Sequence, residues 1–416
     1  MDFASLYREE RPRALATLIR LLGDFDLAEE TLQEAFTVAL EQWPREGAPE
    51  NPSSWLISTA RHKAIDRIRR AQNLAAKSGE LAAAIPQTTD EPTLDEEPLT
   101  DDRLRLIFTC CHPALAPESQ VALTLKTLCG LSVDEIARAF LTSNTTMAQR
   151  LVRAKSKIRA ARIPYEVPAA DRLAERLDGV LRVVYLVFNE GYAPTSGGES
   201  LREELSREAI RLGRLLHALL PREPEAAALI ALMLLHDSRR KTRFDDQGDL
   251  ITLEEQDRAR WDRDEIADGA GLAEAALRQG GAGFYALQAA IAAIHAQAPT
   301  PKDTDWRQIA ILYSLLMRTH PSPVVALNHA AAVGMSRGPE HGIRLIEELE
   351  RSGALASYHL LPAAKADLLR RLNRTAEAAA AYRAALALVT SDVERRYLTR
   401  RLSEVDPEGF DSASEE

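Results

Sequence analysis

Along most of this chain apolar residues recur at intervals of three and four, the spacing that lays one stripe of an α-helix against a core. The pattern predicts an all-α protein. Its clearest unit is the stretch 131–162. There Ile136, Ala137 and Phe140 can bury one face of a short helix that opens at Ser132, and Glu135, three residues on, completes a capping box. Thr142, Ser143 and Asn144 break the periodicity, and Asn144 or Thr145 can cap a second helix. In that helix Met147, Leu151, Ala154 and Ile158 form the inward stripe, which leaves Thr146, Gln149, Arg150 and Arg153 pointing outward. Further helices are expected over 7–22 and over 27–43, the latter capped by Asp24 or Asp26, and in the segment that begins at Pro52.

Charge turns this pattern into chemistry. The 416 residues carry a net charge of -10, yet residues 103–165 hold ten Lys and Arg against three Asp and Glu, while 72–102 hold one Lys against eight acids. The basic charge is local, and a local field is what binds a phosphate backbone. The second helix of 131–162 carries Arg150, Arg153, Lys155, Lys157, Arg159 and Arg162 with no acid. Short helix, turn and basic helix form the layout of a DNA-reading helix-turn-helix. Ser143, Asn144, Thr145, Thr146, Gln149, Arg150 and Arg153 are its candidate DNA contacts, Arg pairing with guanine and Gln or Thr serving adenine or phosphate. Lys157 and the basic tail suit phosphates. In the helix from Pro52, Trp55 precedes Arg61, His62, Lys63, Arg67, Arg69 and Arg70, which oppose only Asp66. A basic helix with an aromatic near its start can hold a strand by charge and stacking.

Composition removes other classes. No apolar run is long enough to span a bilayer and no charged-then-apolar leader opens the chain, so no membrane partner and a cytoplasmic location are expected. Cys110, Cys111 and Cys129 make no disulfide framework. Cys110, Cys111 and His112 could suggest zinc, but adjacent ligands strain a tetrahedral site and no second pair follows, so no metal is expected. There is no Gly-rich phosphate loop and no nucleophile motif, and His217, His236 and His295 sit in apolar helices. Neither an enzyme nor a cofactor is expected.

The two basic blocks, in this order and joined by the acidic linker QTTDEPTLDEEPLTDD, resemble the extracytoplasmic-function group of the sigma-70 family, the promoter-recognition subunits of bacterial RNA polymerase. GDFDLAEETLQEAFTVALEQWP is similar to that group's polymerase-clamp-binding helix, NPSSWLISTARHKAIDRIRR to its minus-ten-reading helix, and LSVDEIARAFLTSNTTMAQRLVRAKSKI to its minus-thirty-five-reading module. Leu141 departs from the turn glycine usual in such modules. The resemblance implies region 2 over 1–71, a linker over 72–101 and region 4 over 102–164, with polymerase core and promoter DNA as partners. It also implies polymerase contacts at Asp26, Glu29, Glu30, Gln33, Glu34 and Phe36, and a loop over 43–53 that traps an extruded base.

Beyond Pro164 lies an extension that minimal members lack, expected as helices over 165–280 and repeats over 281–416. Glu190, Tyr192 and Ser196 are read as turn and capping residues, and TRFDDQGDLITLEEQDRARWD as a short hairpin or surface loop packing Phe244, Leu250 and Trp261, its acids lacking calcium-loop spacing. LLRRLNRTAEAAAAYRAALAL, residues 368–388, resembles part of a tetratricopeptide repeat, with Asn373 at the turn and Ala366, Leu369, Ala378, Tyr382 and Ala385 at packing positions. A groove around these residues would take a protein or peptide partner, so that the extension modulates activity. The other reading is a stand-alone helix-turn-helix regulator with a helical-repeat sensing domain.

Overall fold

The computed structural model describes residues 3–78, 96–140, 142–192 and 199–407. Most of the acidic linker, Leu141 and Ser196 lie outside the described residues. Those described fold into two compact units, 1–219 and 220–416.

The first unit begins with three packed helices, α1 (Phe3–Leu22), α2 (Phe25–Glu46) and α3 (Pro52–Ser78). The Asp24 carboxylate caps α2 by accepting from the backbone N–H groups of Asp26 and Leu27 at 2.8 and 3.0 Å. Phe25, Ala28, Leu32, Ala35, Phe36, Ala39 and Trp43 then bury one stripe of α2, and Gly47 at φ +86° ends it. After α4 (Glu96–Cys110) and α5 (Pro117–Thr127) come α6 (Val133–Ala139) and α7 (Asn144–Ala160), the helix-turn-helix. Two more helices, α8 (Ala170–Tyr192) and α9 (Glu199–Leu219), pack on each other and against α4, α5 and α6. Arg176 donates to the Phe108 carbonyl at 2.7 Å and Arg211 to that of Leu128 at 3.0 Å. The compact body therefore runs through α9 and does not end near residue 164, because α8 and α9 cover apolar faces of the helices before them.

The second unit centres on α10 (Pro224–Asp237), whose residues 226–235 are all buried, with α11 (Arg263–Arg278) and α12 (Phe284–Gln297) packed on it. The Glu225 carboxylate caps α12 from sixty residues away, accepting from Tyr285 N at 2.8 Å and Ala286 N at 3.2 Å. Gly283 leaves room for this cap: a Cβ there would lie 2.4 Å from that carboxyl, which would have to move. Between α10 and α11, Phe244 and Leu250 pair across an antiparallel bridge, and buried Trp261 donates to Thr242 Oγ1 at 2.9 Å, as the hairpin reading expects. Six helices follow as antiparallel neighbours: α13 (Trp306–Thr319), α14 (Pro323–Arg337), α15 (Pro339–Ser352), α16 (Leu360–Arg371), α17 (Thr375–Leu388) and α18 (Asp392–Val405). Asn373 takes the left-handed conformation, φ +58°, at the turn into α17. Ala366, Leu369, Ala378, Tyr382 and Ala385 are buried in one core. They hold the stack together, and of the five only Tyr382 lines a surface cavity, beside Tyr358, Asp367 and Tyr397.

Candidate nucleic-acid interface

The reading helix is fixed at its N-terminal end. Ser132 and Glu135 form the reciprocal capping box on α6, at 3.1 and 2.7 Å, and the hydroxyl of Ser143, rather than Asn144 or Thr145, caps α7 by accepting from Thr146 N at 3.1 Å. Met147, Leu151, Ala154 and Ile158 are buried, so the opposite side of α7 faces outward. There Asn144, Thr145, Ala148, Gln149, Val152 and Arg153 of α7 join Val133 around a shallow concavity of about 600 Å³. Asn144 is held by a 3.1 Å donation from its Nδ2 to Asp134 Oδ1. The Thr146 hydroxyl bonds Ser143 at 2.8 Å, which places Thr146 at the cap.

One detail differs from the sequence reading, and one residue was not singled out there. Arg150 is half-buried on the flank of the helix, since it lies three and four residues from the core positions Met147 and Ala154. Val152 is 66% exposed on the reading face. It falls outside the 147–151–154–158 stripe, and that offset was the available signal.

In α3 the basic residues divide. Lys63 pairs with Glu34 at 3.5 Å, and Arg67 bridges Glu30 and Glu34 of α2, which raise its already high pKa further. These cations and these two acids pair across α2 and α3 at the surface. His62, Arg69 and Arg70, about two turns apart, are exposed, and Arg61 is half-buried. Trp55 is half-buried, its ring edge-on to buried Trp43 at 5.3 Å, so the aromatic pair supports the exposed stretch 44–48 between them. Of the expected polymerase contacts, Gln33 and Glu30 are exposed, but Phe36 is 5% exposed and packs the core. Phe36 falls on the buried stripe of α2 and is corrected to a structural residue.

The cysteines are also structural. Cys110 Sγ lies 3.2 Å from the Thr127 hydroxyl and Cys111 Sγ 3.7 Å from that of Thr124, and burial pushes the Cys111 and Cys129 thiols up to about 12. His112 Nδ1 accepts from Ala114 N at 3.1 Å. Among the described residues no group of three or more His, Cys, Asp and Glu is placed to hold a metal ion, and no helix is long and apolar enough to cross a membrane.

Comparison with known proteins recovers both basic modules. Sigma-70 region 2 matches residues 6–74, sigma-70 region 4 matches 105–158, and a family of unknown function (DUF6596) matches 176–277. The uncharacterized protein R00370 of Rhizobium meliloti (strain 1021) is 44% identical over 98% of this chain and 96% of its own length. The probable ECF RNA polymerase sigma factor SigI of Mycobacterium tuberculosis (strain ATCC 25618 / H37Rv) is 28% identical over 42% of this chain and 60% of its own. The ECF RNA polymerase sigma factor SigK of Mycobacterium sp. (strain KMS) is 26% identical over 36% of this chain and 77% of its own. No solved structure matches the chain.

Proposed function

The chain belongs to the extracytoplasmic-function group of the sigma-70 family and is an RNA polymerase sigma factor, and we propose that it divides promoter recognition between the two faces described above. The reading is carried by the outward face of α7, where Asn144, Thr145, Gln149, Val152 and Arg153 converge with no core role to explain them. This face enters the major groove of the upstream element. Arg153 serves guanine, Gln149 serves adenine and Val152 meets a thymine methyl, while Lys157 contacts phosphate. On α3, His62, Arg69 and Arg70 hold the minus-ten strand, and the exposed residues 44–48 beside the Trp43–Trp55 pair receive an extruded base, whose capture offsets an unstacking cost of a few kcal/mol. The start of α2 docks on core polymerase through Asp26, Glu29 and Gln33. Every one of these steps is binding, so the reading needs no covalent chemistry from this chain.

The second unit contributes a surface for a protein partner. Helices α13, α14 and α15 enclose a groove of about 770 Å³ lined by Arg307, Arg337 and Arg344 with His329 and His341, against a single acid, Glu348. Elsewhere in this unit Arg371, Arg374, Arg383, Arg396 and Arg401 are ion-paired, whereas these three arginines have no carboxylate partner among the described residues. Beside them Ile311 is 60% exposed. Uncompensated cations around an apolar floor fit an acidic segment that carries an apolar side chain.

The test is run-off transcription with purified core polymerase on promoters selected with the full chain. Transcripts that start only when the chain is present, and that disappear on Arg153→Ala, are expected. Initiation independent of the chain would refute the reading.

A further inference from the structure

The basic tail of α7 does not face the concavity that reads DNA. Lys155, with a side chain only 13% exposed, reaches back to α2 and pairs with Asp26 at 2.9 Å and Glu29 at 2.5 Å. One turn on, Arg159 pairs with Asp24 at 3.1 Å and Asp26 at 3.5 Å. Glu29 is shared with Arg11 of α1 at 3.1 Å, and the same guanidinium donates to the Lys126 carbonyl at the end of α5 at 2.9 Å. Burial works against the charge on Lys155, yet Glu29 and Asp26 together hold its pKa above the ordinary value.

A second closure lies further along the same seam. Tyr165, just past α7, donates its hydroxyl to the Ala16 carbonyl of α1 at 2.8 Å and to that of Asp102 at 3.2 Å. Asp102 is fully buried and pairs with Arg20 of α1 at 2.7 Å and Arg105 at 3.1 Å. Two sets of polar contacts therefore join region 2 to region 4, and α8 and α9 back the region 4 helices from their other side.

The acids of the first set are those by which, on the reading above, α2 meets polymerase. We infer that this chain holds a closed, polymerase-refusing state, in which the DNA-reading helix uses its spare basic flank to cover the polymerase-docking acids of α2, and that docking on core polymerase requires α7 to release them. This rests on the sigma-factor reading and adds its regulation. Asp26 and Glu29 cannot serve Lys155 and a polymerase cation together, so the two states compete. The apparent affinity for polymerase is then reduced by the fraction of chain that is open. Because Lys155 and Arg159 lie off the concavity lined by Asn144, Thr145, Gln149, Val152 and Arg153, the closed state leaves base readout chemically intact and blocks assembly.

The experiment uses the full chain with Lys155→Glu and Arg159→Glu together. Titration onto labelled core polymerase is expected to show binding tighter by about tenfold or more than the native chain, the gain that follows if fewer than roughly one native molecule in ten is open. The ratio of upstream-element to random-DNA binding should not change, which also reports that the variant is folded. Equal polymerase affinity of variant and native chain overturns the closure. A second measurement avoids the charge change: spin labels at Thr37→Cys and Ser156→Cys, both exposed positions, should move apart when core polymerase is added. An unchanged distance in the complex overturns the inference as well. If neither protein binds polymerase at any concentration, the sigma-factor reading falls, and the closure with it; tighter binding by the variant upholds both, and weaker binding overturns the closure.

Discussion

Val152 shows that position on the helical stripe, and not residue type, decides burial. A valine on a helix ordinarily seeks the core, but here 66% of its surface is exposed beside Gln149 and Arg153. Exposed apolar surface on a reading helix suits the C5-methyl of thymine. Val152→Ser should leave stability within about 0.5 kcal/mol, since no packing is lost. It should also abolish the difference between thymine- and uracil-substituted upstream elements that the native protein shows; a native protein indifferent to that methyl sinks the assignment. Arg153 and Lys157 separate in another way. Arg153→Ala should cost about 1 to 3 kcal/mol at the native element and relax preference there. Lys157→Ala should weaken all sequences alike and lower the salt slope by roughly one unit. Fluorescence anisotropy at two salt concentrations on matched and scrambled DNA distinguishes them, and identical sequence-independent losses would count against readout by Arg153.

Among the elements, α14 and α15 illustrate packing set by absence. A Cβ at Gly342 would lie 2.8 Å from the Ala330 carbonyl oxygen and 2.9 Å from Gly334 Cα, both backbone atoms that cannot step aside. Gly342→Ala should therefore destabilise the second unit by about 1 to 3 kcal/mol, the usual cost of overpacking, visible as a lower midpoint in thermal unfolding. Helices α10 and α12 carry a pH response. Burial, with the positive charge of Arg239, lowers His236 well below the ordinary imidazole value of 6.5 and His295 to about 4. Folded His295 thus binds fewer protons than unfolded His295 between pH 6.5 and about 4, so its contribution is present above 6.5 and is lost as pH falls through that window. Thermal midpoints of the second unit should fall from pH 7 to pH 4, and less steeply in His295→Gln. A flat profile would show that these imidazoles stay wet.

The scale of the whole molecule is where the chain's division was least legible. The region 4 pattern ends near residue 164, but α8 and α9 belong to the same compact unit, with Arg176 and Arg211 tied to the carbonyls of Phe108 and Leu128. Truncation after Leu219 should leave a soluble fragment that melts cooperatively. Truncation after Pro164 uncovers the apolar faces of α4 and α5 and should give a less stable, aggregation-prone one. Sedimentation and circular dichroism of the two fragments settle it, and a stable, monomeric 1–164 would show that α8 and α9 are dispensable for folding.

Periodicity and caps are local, acting over three or four residues, and so the sequence alone determined the helices, the capping box at Ser132 and Glu135, the turn at Asn373 and the two modules that mark a sigma factor. What it could not determine are relations between residues far apart in the chain. Lys155 and Asp26 are 129 positions apart, Glu225 and the start of α12 some sixty, and neither spacing leaves a periodic trace. For this reason Lys155 and Arg159 read as phosphate contacts until the tertiary structure turned them onto α2, and Arg67 as a DNA contact until Glu30 and Glu34 claimed it. A charge in sequence shows only what it can attract; which partner it meets is decided by the packing of apolar stripes that carry it there.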